Sequence, residues 1–217
     1  IHRGRDHLLS VEIQEQGIGA LRIVAAGPGP KNKAAVLAAG AVPLVLSSLS
    51  TFADNPGVSA VCCAVLCNLQ QTADVNEDMV ARPLQDEVHS LSTAMAMVQA
   101  LRNHPKDLRV QKEGIQALSN LVKNCPMIDE TRAALADEGV LAIVSAALDA
   151  FSSTDCKPAQ AAVRSDLIRF SDSLTGWISK GHAVDRKHRP PLPIHPDDGA
   201  TLLYYCEEYT SEVHTAT

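Results

Sequence analysis

The chain has 217 residues, 46% of them hydrophobic, which is enough apolar surface for a sizeable core. Aromatic residues make up only 3%, so small and aliphatic side chains must do the packing, as in closely stacked helices. A formal net charge of −6 argues against a general nucleic-acid or anionic-membrane binder, which needs a basic footprint.

The first element expected is an amphipathic helix over Val11 to Val24. Ile13, Leu21 and Val24 fall on one side with Gly17 and Ala20, where small residues allow close helix contact. Gly27-Pro28-Gly29-Pro30 stops it. That stretch is no phosphate loop: it lacks the G-x-x-x-x-G-K-[ST] spacing, and its prolines remove N–H donors. Gly17-Ile18-Gly19 is no dinucleotide fingerprint either, because helical periodicity runs through it and no strand precedes it. A short helix follows over Lys31 to Ala39, Gly40 breaks the chain, and a second starts near Val42 with Pro43 in its first turn. Asp54-Asn55-Pro56-Gly57 is a turn before a cysteine-rich helix from Val58 to Gln70.

Glu77 to His89 carries Pro83, which predicts a kinked or split helix. Ser92 to Leu101 is helical and ends at Asn103-His104-Pro105, with His104 a turn residue. Met95 and Met97 alternate there, so only one faces the core. Leu108 to Val122 is the best-formed helix of the set. Asp129 is expected to cap a helix over Glu130 to Asp137. Gly139 separates that from Val140 to Phe151, and Pro158 opens a last helix holding Val163, Leu167 and Phe170. After Lys180 the character changes. Residues 182–196 carry Arg186, Lys187, Arg189 and four prolines, and predict extended chain. From Asp197 onward there are five acidic residues and no Lys or Arg. The organisation expected is a helical domain over 1–180 and a Pro-rich, then acidic, tail over 181–217. Leu202, Leu203, Tyr204 and Tyr205 form the tail's apolar cluster, either loose or docked as a short helix on the last repeat.

Two blocks recur. Ile13-Gln14-Glu15-Gln16-Gly17-Ile18-Gly19-Ala20-Leu21 returns as Val110-Gln111-Lys112-Glu113-Gly114-Ile115-Gln116-Ala117-Leu118, with a looser copy at Val58 to Leu69. Leu21, Leu66 and Leu118 are 45 and 52 residues apart. Gly40 to Leu49 returns as Gly139 to Leu148, 99 residues on. Units of this period mark a helical solenoid, so the fold class expected is all-α.

The six cysteines include no C-x-x-C pair, and Cys62, Cys63 and Cys67 share one apolar helix. They are expected to be buried thiols in a reducing compartment, with no metal site. The eight histidines are spread widely with no H-E-x-x-H, and surface positions are expected for them. The longest apolar run, Ala34 to Leu46, is 13 residues, short of the roughly 20 needed for a membrane span. No sequon and no signal peptide are evident, which fits a cytoplasmic or nuclear chain.

The blocks resemble armadillo repeats. The family's third helix often reads V-Q-x-x-A/G-x-x-A-L-x-N-L, which stands here at Val110 to Leu121, and its second helix is of the A-G-x-x-P-x-L-V-x-x-L type, which stands at Gly40 to Leu49. The resemblance spans residues 8–172 and implies a right-handed α-solenoid of about three to four repeats, with third helices lining a concave groove. In importin-like members each groove helix carries a Trp and, one turn later, an Asn that holds the backbone of an extended peptide. The Asn stands here as Asn68 and Asn120, while Ile23 and Arg169 replace it in the outer copies. Gly19, Ala64 and Gln116 occupy the Trp positions, which disfavours a nuclear transport adaptor.

On helical geometry Glu113, Gln116, Asn120 and Lys123 share one polar face, leaving Ile115, Leu118, Leu121 and Val122 for the core. The function expected is a non-catalytic scaffold that binds a protein or extended peptide through Asn68, Glu113, Gln116, Asn120 and Lys123. No cofactor, small-molecule substrate or catalytic residue is expected. Asn68 and Asn120 either meet a ligand or bond within the fold. The alternative is a regulatory segment of a larger enzyme, such as a kinase or ubiquitin ligase; the start at Ile1 rather than Met fits a piece of a longer chain.

Overall fold

A computed structural model describes residues 10–27, 30–71, 86–124, 128–151 and 158–179. All regular structure among them is helical: α1 (Val11–Ala26), α2 (Pro30–Ala38), α3 (Ala41–Thr51), α4 (Pro56–Leu69), α5 (Leu91–Asn103), α6 (Leu108–Asn124), α7 (Ile128–Asp137), α8 (Val140–Ala150) and α9 (Pro158–Ser179). The expected tail at 181–217, and most of the split helix around Pro83, lie outside the described residues.

Side-chain caps start four of these helices. Ser10 Oγ accepts from the Ile13 amide, Asn55 Oδ1 from Val58 at 2.9 Å, and Ser90 Oγ from Thr93 at 3.2 Å. Asp107 Oδ1 accepts from both Arg109 and Val110 at 2.9 and 3.0 Å. Pro56 sits in the first turn of α4, where its missing N–H costs nothing. Gly40 and Gly139 precede α3 and α8 at φ 77° and 67°. That left-handed conformation is open to glycine at no steric cost, which explains the glycine at the same place in both copies of the block. Asp129 is not the cap of α7: that helix has begun by Ile128, and Asp129 lies in its first turn. An Asp near a helix start is favoured both as cap and inside the first turn, so its presence did not fix the boundary.

The helices pack in two rows. α1 lies on α4, α4 on α6 and α6 on α9, while α3 lies on α5 and α5 on α8 behind them. α3 and α5 also pack on α4 and α6 respectively. α4 is central and almost wholly buried, with Val58, Cys62, Cys63, Val65 and Leu66 all fully inaccessible. Ile115, Leu118 and Leu121 of α6 are likewise fully buried, as their periodicity predicts. Of the methionine pair, Met97 is buried and Met95 is half-buried.

One face departs from expectation. On α1 the side buried in the core is Ile18 and Ala25. Ile13 and Val24 are 49% and 47% exposed, and Gly17 and Ala20 are open as well. Of the stripe expected to make close helix contact, only Leu21 packs against the core, and a Cβ at Gly17 would meet nothing within 4 Å. No single described helix is long and apolar enough to cross a membrane.

Two histidines also depart from expectation. His89 and His104 are buried, not surface residues. His104 Nε2 lies 2.9 Å from the Ala53 carbonyl and 3.2 Å from Ser59 Oγ. The turn after α5 thus rests on the turn after α3, which covers a residue that a lone turn would leave in water. Gln111 completes the junction, its Nε2 donating to the Leu101 and His104 carbonyls at 2.8 and 3.0 Å. Those carbonyls belong to the end of α5, which has no intrahelical donors left for them. Arg102 pairs with the Glu138 carboxylate at 2.6 Å, joining α5 to the turn before α8.

Candidate partner-binding surface

The row α1, α4, α6 and α9 carries every residue expected to meet a partner. On α6, Glu113, Gln116 and Asn120 are half-buried and Lys123 is exposed, so the polar face foreseen from spacing does reach the surface. Glu113 Oε1 pairs with Lys112 Nζ at 3.1 Å. Both side chains are about a quarter exposed, and such a pair contributes little to stability. It fixes the direction of two long side chains at the rim of the face.

The two asparagines are bonded within the fold. Asn68 Nδ2 donates to the Arg22 carbonyl on α1 at 3.1 Å. Asn120 Nδ2 lies 3.4 Å from Cys67 Sγ on α4. Each therefore reaches back to the preceding helix of the row, linking α4 to α1 and α6 to α4. Of the two alternatives open in the sequence, the structure carries the internal bond. Both residues remain half-buried rather than sealed.

Between α1 and α4 lies a shallow cavity of about 300 Å³, lined by Glu15, Gly19, Arg22, Ile23 and Val61 among others. Two glycines stand at this junction of α1 and α4 in opposite ways. A Cβ at Gly19 would meet nothing within 4 Å, and Gly57 brings the start of α4 so close that its Cβ would meet the Glu15 carboxylate at 2.6 Å. Sequence reasoning gave Gly19 only as a missing Trp. The signal that could have found the cavity is the glycine itself, at a position where α4 has Ala64 and α6 has Gln116.

Cys62, Cys63 and Cys67 are free thiols, buried along α4. Burial pushes Cys63 up to about 12, helped by the carboxylate of Glu113 and by Cys67. Burial and then Glu113 push Cys67 up to about 11. Burial raises Cys62 well above the ordinary value, with Cys63 adding to it. All three stay protonated near neutral pH, and a protonated thiol is neither a good nucleophile nor a metal ligand. Among the described residues no group of three His, Cys, Asp or Glu side chains is placed to hold a metal ion. No family model, no curated protein and no solved structure matches this chain.

Proposed function

We propose that the chain is an interaction scaffold built of armadillo-like repeats, in a right-handed solenoid, which holds an extended segment of a partner protein along the row α1–α4–α6–α9. The observation that carries this reading is the row itself. Three helices with the same sequence block stand side by side, and at matching positions Gly19 with Ile23, Asn68, and Gln116 with Asn120 reach the surface, while Ala64 is buried. A strip of that kind presents similar positions at regular intervals, which suits a ligand that is itself periodic, such as an extended peptide.

The asparagine bonds adjust the mechanism. Asn68 and Asn120 hold the row together, and the ligand contacts fall to the side chains around them: Glu113, Gln116 and Lys123 on α6, with Glu15, Arg22 and Ile23 beside the cavity. Mixed charge along that strip favours a ligand that is neither strongly basic nor strongly acidic. The protonated, buried thiols suit a reducing compartment, cytoplasmic or nuclear.

Selection of displayed random peptides on the purified chain tests the proposal. Binders are expected to lose about tenfold or more in affinity on Gln116→Ala combined with Arg22→Ala, in chains whose unfolding midpoint is unchanged. Peptides that bind equally well to that double variant, or a selection that enriches none, would remove the strip as the binding surface.

A further inference from the structure

We infer that residues 1–7 dock on the first turns of α1 as the closing turn of a helix, with Gly4 seated opposite Gly17 and the Gln14 side chain as the clamp. Residues 1–9 lie outside the described ones, and the register of the repeat assigns their place. Three helices of the row begin alike. Ser10, Asn55 and Asp107 stand three residues before Ile13, Val58 and Val110, and each accepts from that residue's amide, at 3.5, 2.9 and 3.0 Å. Four residues before the cap, the preceding helix ends: α3 at Thr51 before Asn55, and α5 at Asn103 before Asp107. The same count back from Ser10 reaches Asp6. The residue types agree with that register. Ile1 stands where α3 has Leu46 and α5 has Val98, both buried, and Arg5 and His7 repeat Arg102 and His104.

In both later copies the first turn is covered by the helix before it. Val58 and Val110 are fully buried, with α3 packed on α4 and α5 on α6, whereas Ile13 at the same place is 49% exposed. The linkers are short, so the end of the preceding helix, not its start, lies over the first turn. Seven residues therefore suffice for the Ile13–Gly17 half of the stripe. The α5–α6 pair shows what they meet. A Cβ at Gly114 would lie 2.7 Å from Leu101 Cδ2, and the matching residues are Gly17 and Gly4. With glycine in the place of leucine the cover leaves room at Gly17, whose Cβ would meet nothing within 4 Å. Gln111 Nε2 donates to the Leu101 and His104 carbonyls, at 2.8 and 3.0 Å, where a helix end has no donors of its own. Gln14 is the matching residue, and the matching acceptors are the Gly4 and His7 carbonyls. Ser48 Oγ donates to Gln14 Oε1 at 3.2 Å, which holds this side chain by its oxygen and leaves the donating to its nitrogen. Ile13, Gln14 and Gly17 are not part of the cavity lining between α1 and α4, so this contact stands or falls separately from peptide binding.

Cysteine pairs in the full chain test the inference. Leu101 Cγ lies 3.1 Å from a Cβ at Gly114, a closeness that suits a disulfide at the matching pair. Gly4→Cys with Gly17→Cys is expected to close an intrachain 4–17 disulfide on mild oxidation at low protein concentration, located by mass spectrometry. Gly4→Cys with Gln16→Cys is expected to close about tenfold less or lower still, because Gln16 is exposed on another side of α1 at nearly the same separation in sequence. The parent chain oxidised in the same way controls for its native cysteines. Equal yields from the two pairs overturn the inference, since they describe a loose tether, and so does the absence of the 4–17 disulfide. Thiol labelling of an Ile13→Cys chain gives a second readout. Removing residues 1–7 is expected to raise the labelling rate at position 13 by about tenfold or more, with Ser10 still in place to cap α1. A rate that does not change on their removal overturns the inference as well.

Discussion

Asn68 on α4 donates its side-chain amide to the backbone carbonyl of Arg22 on α1, 46 residues away in sequence and 3.1 Å in space. The bond ties the second helix of the row to the first at the edge of the surface proposed for partner binding. Asn68→Ala should cost about 0.5–1.5 kcal/mol, the net worth of one neutral hydrogen bond, measured by urea denaturation with an unchanged slope. Asn68→Asp should cost more, because its carboxylate cannot donate and would face a carbonyl oxygen. An Ala variant as stable as the parent would show that the amide bonds Arg22 only incidentally.

The core of the row rests on residues such as Leu118, which is fully buried. Leu118→Ala should cost about 2–5 kcal/mol, the range set by lost transfer energy and the cavity left behind. Equilibrium denaturation checks it. A loss below about 0.5 kcal/mol, typical of surface sites, would mean that α6 is rotated away from the register described here.

Much of this was legible in the sequence because helix position and helix periodicity are local properties. Ile115, Leu118, Leu121 and Val122 are spaced to share one side of α6, and they do line the core. Gly40 and Gly139, expected as helix breaks, do separate helices, and both adopt positive φ. What was not legible depends on neighbours. Ile13-x-x-x-Gly17 on α1 and Val110-x-x-x-Gly114 on α6 carry the same pattern, yet the first is open and the second sealed, because burial is decided by the helix that packs on a stripe. His104 ends α5 at a turn, as its place before Pro105 predicts, but that turn is covered by Ala53 and Ser59 from the α3–α4 region. The partners of Asn68 and Asn120 were open for the same reason: no spacing along one helix says which atom of the next helix lies opposite.

The paired glycines turn that difference into a measurement. At Gly17 a Cβ meets nothing within 4 Å, so Gly17→Ala should stabilise the chain by about 0.5–1 kcal/mol through backbone entropy and helix propensity. At Gly114 the same methyl meets Leu101 Cδ2 at 2.7 Å and Cγ at 3.1 Å inside a packed core. Overpacking of about 1–3 kcal/mol then outweighs the propensity gain, and Gly114→Ala should destabilise by about 1 kcal/mol. Thermal or urea unfolding of the two variants should show opposite signs. Equal signs would contradict the assignment of one face as open and the other as closed.

The thiols of α4 make stability depend on alkaline pH in a definite direction. Their ordinary value is 9.0, and in the fold Cys67 is raised to about 11 and Cys63 to about 12. A raised acid is protonated in the folded state while the unfolded state ionises first. The protection is therefore complete below about pH 9 and declines as pH rises through about 11 for Cys67 and about 12 for Cys63, since the unfolded state sheds its protons at lower pH. Cys63→Ala removes that source of decline along with a buried side chain. Its stability should be lower than the parent's at pH 7, and the difference should narrow as pH rises above 9. Thiol reactivity gives the companion readout: Cys62, Cys63 and Cys67 should resist a disulfide reagent in the folded chain and react together once denaturant opens α4. Rapid labelling of Cys63 in the native chain at pH 8 would mean that α4 is not the sealed centre of the stack.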